Sequence, residues 1–96
     1  MFDLPVETVS DRRAYSKFVK FLSKEGFIMF QKSIYVKLSV NEASVALLEK
    51  TIKNNLPKEG TISMLTITEK QFNDITVFLG EFVSDVLMTT DRVIEL

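Results

Sequence analysis

The chain has 96 residues, 46% of them hydrophobic, and a net charge of −1, which is one small domain with enough apolar side chains for a core. It contains no cysteine and no histidine, and this excludes disulfides, thiolate zinc sites, imidazole acid–base chemistry and Ser–His or Cys–His nucleophiles. Any bound metal would be a hard, oxygen-liganded ion such as Mg2+ or Mn2+, and the lack of a signal peptide or a membrane-length apolar run predicts a soluble, cytoplasmic protein with no membrane partner.

In chain order, MFDL reads as the end of a strand cut short at its beginning and stopped by Pro5. Ser10 is a candidate N-cap for a helix to about residue 25, with Gly26 as its C-cap. Ala14, Tyr15, Phe18, Phe21 and Leu22 recur at helical spacing and are expected to face the core. The stretch GFIMFQKSIYVKLSV predicts two strands broken at Gln31, Lys32 and Ser33. Asn41 or Ser39 then caps a helix at about 42–55 with Val45, Leu48 and Ile52 inward. NNLPKEG is a loop, TISMLTIT reads as one strand, and Thr68 to Gln71 has capping-box spacing. DITVFLG is expected to be a strand, and DRVIEL a short closing one. The eight Phe include Phe18, Phe21, Phe27, Phe30, Phe72 and Phe78, all expected in the core.

The order of elements predicts an α+β, ferredoxin-like βαββαβ sandwich with an extra C-terminal strand. The expected division is a domain at 1–80 and a tail with its strand at 81–96. A sheet with one open face is naturally buried against a second copy, so a homodimer is expected.

Charge is not spread evenly. Residues 12–37 carry seven basic side chains against Glu25 alone, while residues 71–96 carry five acids against Arg92. Arg13, Lys17, Lys20 and Lys24 recur at i, i+4, i+7 and i+11. At ~100° per residue they fall within about 60° of one another, opposite the apolar stripe. Such a ridge is often just a solvated helix face. This one has no acidic i+4 partners, and four like charges repel unless something neutralises them. A phosphate backbone would do so, by counterion release and without reading bases. Arg12, Arg13, Lys17, Lys20 and Lys24 are the candidate nucleic-acid contacts.

The segments FDLPVET, DRRAYSKFVKFLSKEGFIMFQKSIY and LTITEKQF, in this order and at this spacing, resemble the CRISPR-associated (Cas) protein 2 family, of the short type that accompanies the Cas9 effector. The resemblance spans about residues 1–80 and is looser over DRVIEL. Family members carry a longer apolar strand before the Asp, whereas only Met1 and Phe2 precede Asp3 here. The resemblance implies a ferredoxin-like fold whose copies pair sheet to sheet, with strands near 75–80 or 92–96 crossing onto or abutting the partner. It implies a role as a bridge and ruler for double-stranded DNA, joining dimers of the Cas integrase (Cas protein 1) during spacer acquisition. It also implies an alternative, a divalent-metal endonuclease on RNA or DNA using the Asp that ends the first strand, here Asp3.

Asp3 is therefore the candidate metal ligand and catalytic residue. It could equally do no more than accept a turn hydrogen bond. Two copies of Asp3 facing each other across a two-fold axis could share one Mg2+ or Mn2+. No second acid is placed by the sequence to join it, although Glu7 and Asp11 are close, so the scaffold reading is preferred. Gln31, Ser33 and Tyr35 alternate along the strand region and, by the resemblance, support the Asp. The acidic end is expected to meet the integrase through Arg92, Val93, Ile94, Glu95 and Leu96, by strand addition or packing.

Overall fold

A computed structural model describes residues 1–80 and 93–95. The elements are β1 (Phe2–Asp3), α1 (Val9–Lys24), β2 (Ile28–Gln31), β3 (Ile34–Ser39), α2 (Glu42–Lys53), β4 (Thr61–Ile62), β5 (Thr66–Thr68), α3 (Glu69–Asn73) and β6 (Val93–Glu95). This is the α+β, antiparallel architecture expected of a ferredoxin-like chain. β1 pairs with β4, and a four-stranded sheet runs β2-β3-β6-β5. The N–H of Phe2 donates to the Ser33 carbonyl at 3.0 Å, tying β1 to the β2–β3 turn. None of the described helices is long and apolar enough to cross a membrane.

The first helix begins two residues earlier than expected. Thr8, not Ser10, is the N-cap: its hydroxyl accepts from the Asp11 N–H, and the Asp11 carboxylate accepts from the Thr8 N–H. This reciprocal pair satisfies two N-terminal donors, which Ser10 alone would not do. At the other end Gly26 N–H donates to Ser23 and Phe27 N–H to Leu22, closing the helix as a Schellman turn. Leu22 and Phe27 are both buried in the same core, so the turn and the packing support each other. Lys37 adds its ammonium to the Glu25 carbonyl at this negative helix end. Asn41 caps α2 by accepting from Ser44 N–H at 2.9 Å, and Thr68 and Gln71 form the expected capping box of α3.

The core lies on both sides of the sheet. Phe2, Leu4, Phe18, Leu22, Phe27 and Leu48 pack together where α1 and α2 cover β1, and Tyr35 joins them. The next residue, Val36, packs instead with Phe72 of α3, alongside Phe30, Leu38, Ile67 and Ile75. Alternation along β3 thus serves two layers. Val36 and Phe72 are fully buried, and Phe72→Ala would cost about 3–5 kcal/mol as a cavity in this small second layer.

Three expectations change. TISMLTIT is two short strands, β4 and β5, separated at residues 63–65. The segment DITVFLG is not a strand: Ile75 packs inward, while Phe78 and Leu79 are 95% and 96% exposed. Phe78 is therefore not a core residue, because strand-forming composition yields a strand only where an edge is free to pair. The closing strand does form, but inside the chain. Its register is Lys37↔Glu95, Leu38↔Ile94 and Ser39↔Val93 on one side, and Thr66↔Glu95, Ile67↔Ile94 and Thr68↔Val93 on the other. With both hydrogen-bonding edges used, Val93, Ile94 and Glu95 have none left to add to another protein's sheet. They join β5 to β3, and the strand is part of the fold that residues 1–80 build. Arg92 and Leu96 lie outside the described residues.

Candidate functional site

Asp3 stands between two buried residues, Phe2 and Leu4, and is itself exposed. Strand alternation produces this: two apolar neighbours face the core and the carboxylate faces solvent. Its backbone is fixed by pairing with Thr61 and by the close approach of Gly60, where an added Cβ would stand 2.6 Å from the Asp3 carbonyl oxygen and 2.6 Å from Leu4 Cδ2.

Of the residues expected to support Asp3, Tyr35 and Ser33 touch its neighbour Phe2. The Tyr35 ring stacks on Phe2 with centroids 5.7 Å apart, and Tyr15 meets the same ring edge-on at 5.8 Å. Ser33 contributes its carbonyl to Phe2 N–H. It sits in the β2–β3 turn with φ of 67°, and the β2–β3 register shifts between Met29 and Gln31. The expected simple alternation of Gln31, Ser33 and Tyr35 on one face is therefore interrupted. Gln31 is exposed and pairs with Ile34.

Burial, and then the nearby Tyr15, hold the Tyr35 phenol above the ordinary tyrosine value of 10.0. A raised folded-state value means that the neutral phenol is preferred in the fold. Its stabilising contribution is complete below the unfolded value and is lost as pH rises through the folded one. Chemical denaturation is expected to give constant midpoints from this group up to about pH 9 and falling midpoints above about pH 10. Tyr35→Phe should flatten that alkaline fall.

No group of three or more acidic residues able to hold a metal occurs among the described residues. Asp11 is committed to the α1 capping box, and Glu7 is exposed in the connection before it. The donors of one chain at Asp3 amount to a single carboxylate, which does not fit a divalent ion; a shared site would need a second copy.

The basic ridge is where the sequence put it. Arg13, Lys17, Lys20 and Lys24 are all exposed on α1, and none makes an ion pair or hydrogen bond to a described residue. Arg12 differs. It lies about 100° around the helix from Arg13, and its guanidinium donates to the carbonyls of Val6 and Glu7 at 3.2 Å each. Arg12 thus fastens the β1–α1 connection, and the free ridge is the other four. Arg12, Arg13, Ser16, Lys17 and Lys20 line a shallow hollow on this face.

A second feature was not read from the sequence. A groove of about 490 Å³ runs between α1 and the loop 54–59, with Tyr15, Phe18 and Phe21 on the helix side and Asn54, Asn55 and Pro57 opposite. Lys17 borders both hollows. Its only sequence signal is the polar loop NNLPKEG directly after a helix, since loops held by a rigid scaffold often carry binding groups.

The family model of CRISPR associated protein Cas2 matches residues 1–75. The chain is 46% identical to "CRISPR-associated endoribonuclease Cas2" of Ligilactobacillus salivarius, covering 98% of this chain and 93% of that protein. It is 44% identical to the protein of the same name from Treponema denticola, covering 99% and 94%, and 43% identical to that of Streptococcus mutans, covering 98% and 88%. A match spanning β1 through α3, together with relatives aligned over nearly their whole length, establishes that the chain belongs to the Cas2 family.

Proposed function

We propose that this protein is a homodimeric scaffold of CRISPR spacer acquisition, which holds double-stranded DNA by its phosphates and bridges dimers of the Cas integrase (Cas protein 1). The observation that carries the reading is the ridge: four cations on one face of α1, all exposed and none paired with a described residue. Four adjacent like charges without partners cost stability, and a polyanion recovers it by releasing counterions. Such contacts position a duplex without reading its sequence.

Pairing of two copies is supported by Phe78 and Leu79, adjacent large apolar side chains almost wholly in solvent. Exposed apolar groups of this kind mark contact surfaces. A two-fold axis would present one ridge on each side of the pair. Association with a Cas9-type system rests on the resemblance in FDLPVET and LTITEKQF. Contact with the integrase is assigned to the acidic C-terminal region, through side chains and not through a free edge of β6.

A second reading is favoured by the relatives, which are named endoribonucleases. In it, the Asp3 carboxylates of two copies would together hold Mg2+ or Mn2+, which would supply Lewis-acid chemistry for phosphodiester cleavage. Asp3 is exposed on a fixed backbone, as this reading requires, but one chain alone does not supply the ligand set. Asp3→Asn separates the two readings, because it keeps size and hydrogen bonding while removing the charge that a metal needs. Spacer integration reconstituted with the integrase should proceed undiminished with the Asn variant if the protein is a scaffold. Integration abolished by this substitution, in a protein that still binds DNA, would reject the scaffold reading.

A further inference from the structure

We infer that the groove between α1 and the loop 54–59 is a subsite for one unpaired base of a single strand whose flanking phosphates lie on Lys17 and Lys20. The inference rests on the reading of the α1 ridge as a phosphate surface and adds to it what the neighbouring groove takes.

The two hollows share a wall. Lys17 lines both, and Lys20 stands one turn further along the ridge. A strand that places a phosphate at this seam has its next base within reach of the groove. The volume of about 490 Å³ lies within the usual range for small-ligand pockets, roughly 300–1,000 Å³. The chemistry changes across the seam. The ridge is cationic, whereas the groove balances Lys17 and Lys58 against Asp11 and Glu59, so it suits an uncharged flat group more than a second phosphate.

Its walls match such a group. Tyr15 and Phe21 are half-buried and Phe18 is buried, which gives the groove an aromatic floor. Ring systems of this kind stack bases whatever their identity. The rim is polar. The Asn54 side chain has no partner among the described residues. The Asn55 amide nitrogen donates to the Thr51 carbonyl at 2.8 Å, which fixes that side chain in the groove lining. Glu59 is exposed there and can accept from an exocyclic amino group such as that of cytosine. A base in a duplex cannot enter, because its faces are already stacked and its edge is paired. The groove therefore concerns single strands or the unpaired end of a duplex.

The test compares a short fluorescein-labelled oligodeoxycytidylate with an abasic deoxyribose–phosphate strand of equal length and charge. The full chain should bind the base-bearing strand more tightly by about fivefold or more, the lower end of what one base–aromatic stack contributes. Ala14 lines the groove, and Ala14→Phe should fill it. This variant should bring the cytidine strand down to the abasic affinity and leave the abasic affinity unchanged. The chain contains no tryptophan, and Leu56, which lines the groove, is 50% exposed. Leu56→Trp therefore places a single reporter there without disturbing the core, and it decides the matter even if Ala14→Phe fails to fold. Its emission should be quenched by the cytidine strand and not by the abasic one. Equal binding of both strands with no quenching would overturn the inference and leave the ridge reading standing. Binding of neither strand would remove both. Emission that follows protein concentration and not the added strand would give the groove to a second copy of the chain and likewise overturn the inference.

Discussion

Replacing Arg13, Lys17 and Lys20 together by alanine is expected to remove most of the salt dependence of DNA binding. Each phosphate contact contributes about 0.9 to the slope of log K against log salt for duplex DNA. In the proposed dimer, three residues in each of two copies would supply up to six contacts, so the slope should become shallower by up to about 5. Between about 50 and 200 mM salt, six contacts account for roughly a thousandfold change in affinity, and most of that should disappear in the variant. The effect should be equal for unrelated sequences, since backbone contacts carry no base information. It should not come from unfolding. The three side chains are exposed and without partners among the described residues, Ala is the best helix former, and three repelling charges are gone. Arg12→Ala is the internal contrast. Its guanidinium holds Val6 and Glu7, so its loss should loosen the β1–α1 connection and change the salt slope by less than a ridge residue does. Fluorescence anisotropy across a salt series, beside thermal melts of each variant, checks all of these.

Gly60→Ala is expected to be the most damaging small substitution near Asp3. Gly60 has φ of +101°, and its added methyl would meet the Asp3 carbonyl oxygen and Leu4 Cδ2 at 2.6 Å each. The backbone strain alone costs about 1–3 kcal/mol for a residue with a Cβ. The clash cannot be relieved cheaply, because one of the struck atoms is backbone and Leu4 is buried. The chain must part at the β1–β4 pairing of Asp3 with Thr61, which moves the one exposed carboxylate of the candidate site. With about 4–8 °C lost per kcal/mol in a domain of this size, Tm should fall by on the order of 10–20 °C. Gly80→Ala is the control. Gly80 has φ of +109°, but nothing lies within 4 Å of its added Cβ. It carries strain without the clash and should lose only part as much. Equal losses at the two positions would mean that the approach of Gly60 to Asp3 does not matter for the fold.

The parts of this structure that were legible in the sequence are those specified locally. The first helix was clear because its apolar stripe and its basic ridge both repeat at helical spacing. Its start was misplaced by two residues because Thr8 and Ser10 are both good caps, and the box partner of Thr8 is Asp11 and not the usual Glu or Gln. The capping box at Thr68 was read correctly, as its partner lies three residues away. Pairings between distant segments were not legible. Nothing in DRVIEL says that Val93–Glu95 will fit between Ile34–Ser39 and Thr66–Thr68. Nothing in DITVFLG says that it will lack an edge and leave Phe78 and Leu79 in solvent. At the candidate site, the metal and catalytic role of Asp3 came from the resemblance, whereas the ridge was named from residue type and spacing. The groove was not, because its walls are brought together from positions about 40 residues apart by the packing of α1 beside the end of α2.

The central claim is that the α1 ridge, and not the carboxylate of Asp3, is what the protein uses on nucleic acid. The direct measurement sets Asp3→Asn beside the Arg13/Lys17/Lys20 triple-alanine variant on one DNA duplex, in the presence of Mg2+. Affinity, salt slope and integrase-dependent spacer integration are read from the same preparations. The account predicts that Asp3→Asn matches the unaltered protein in all three, while the ridge variant loses slope, affinity and integration together. Unchanged binding and integration by the ridge variant, with both lost in Asp3→Asn, would contradict it.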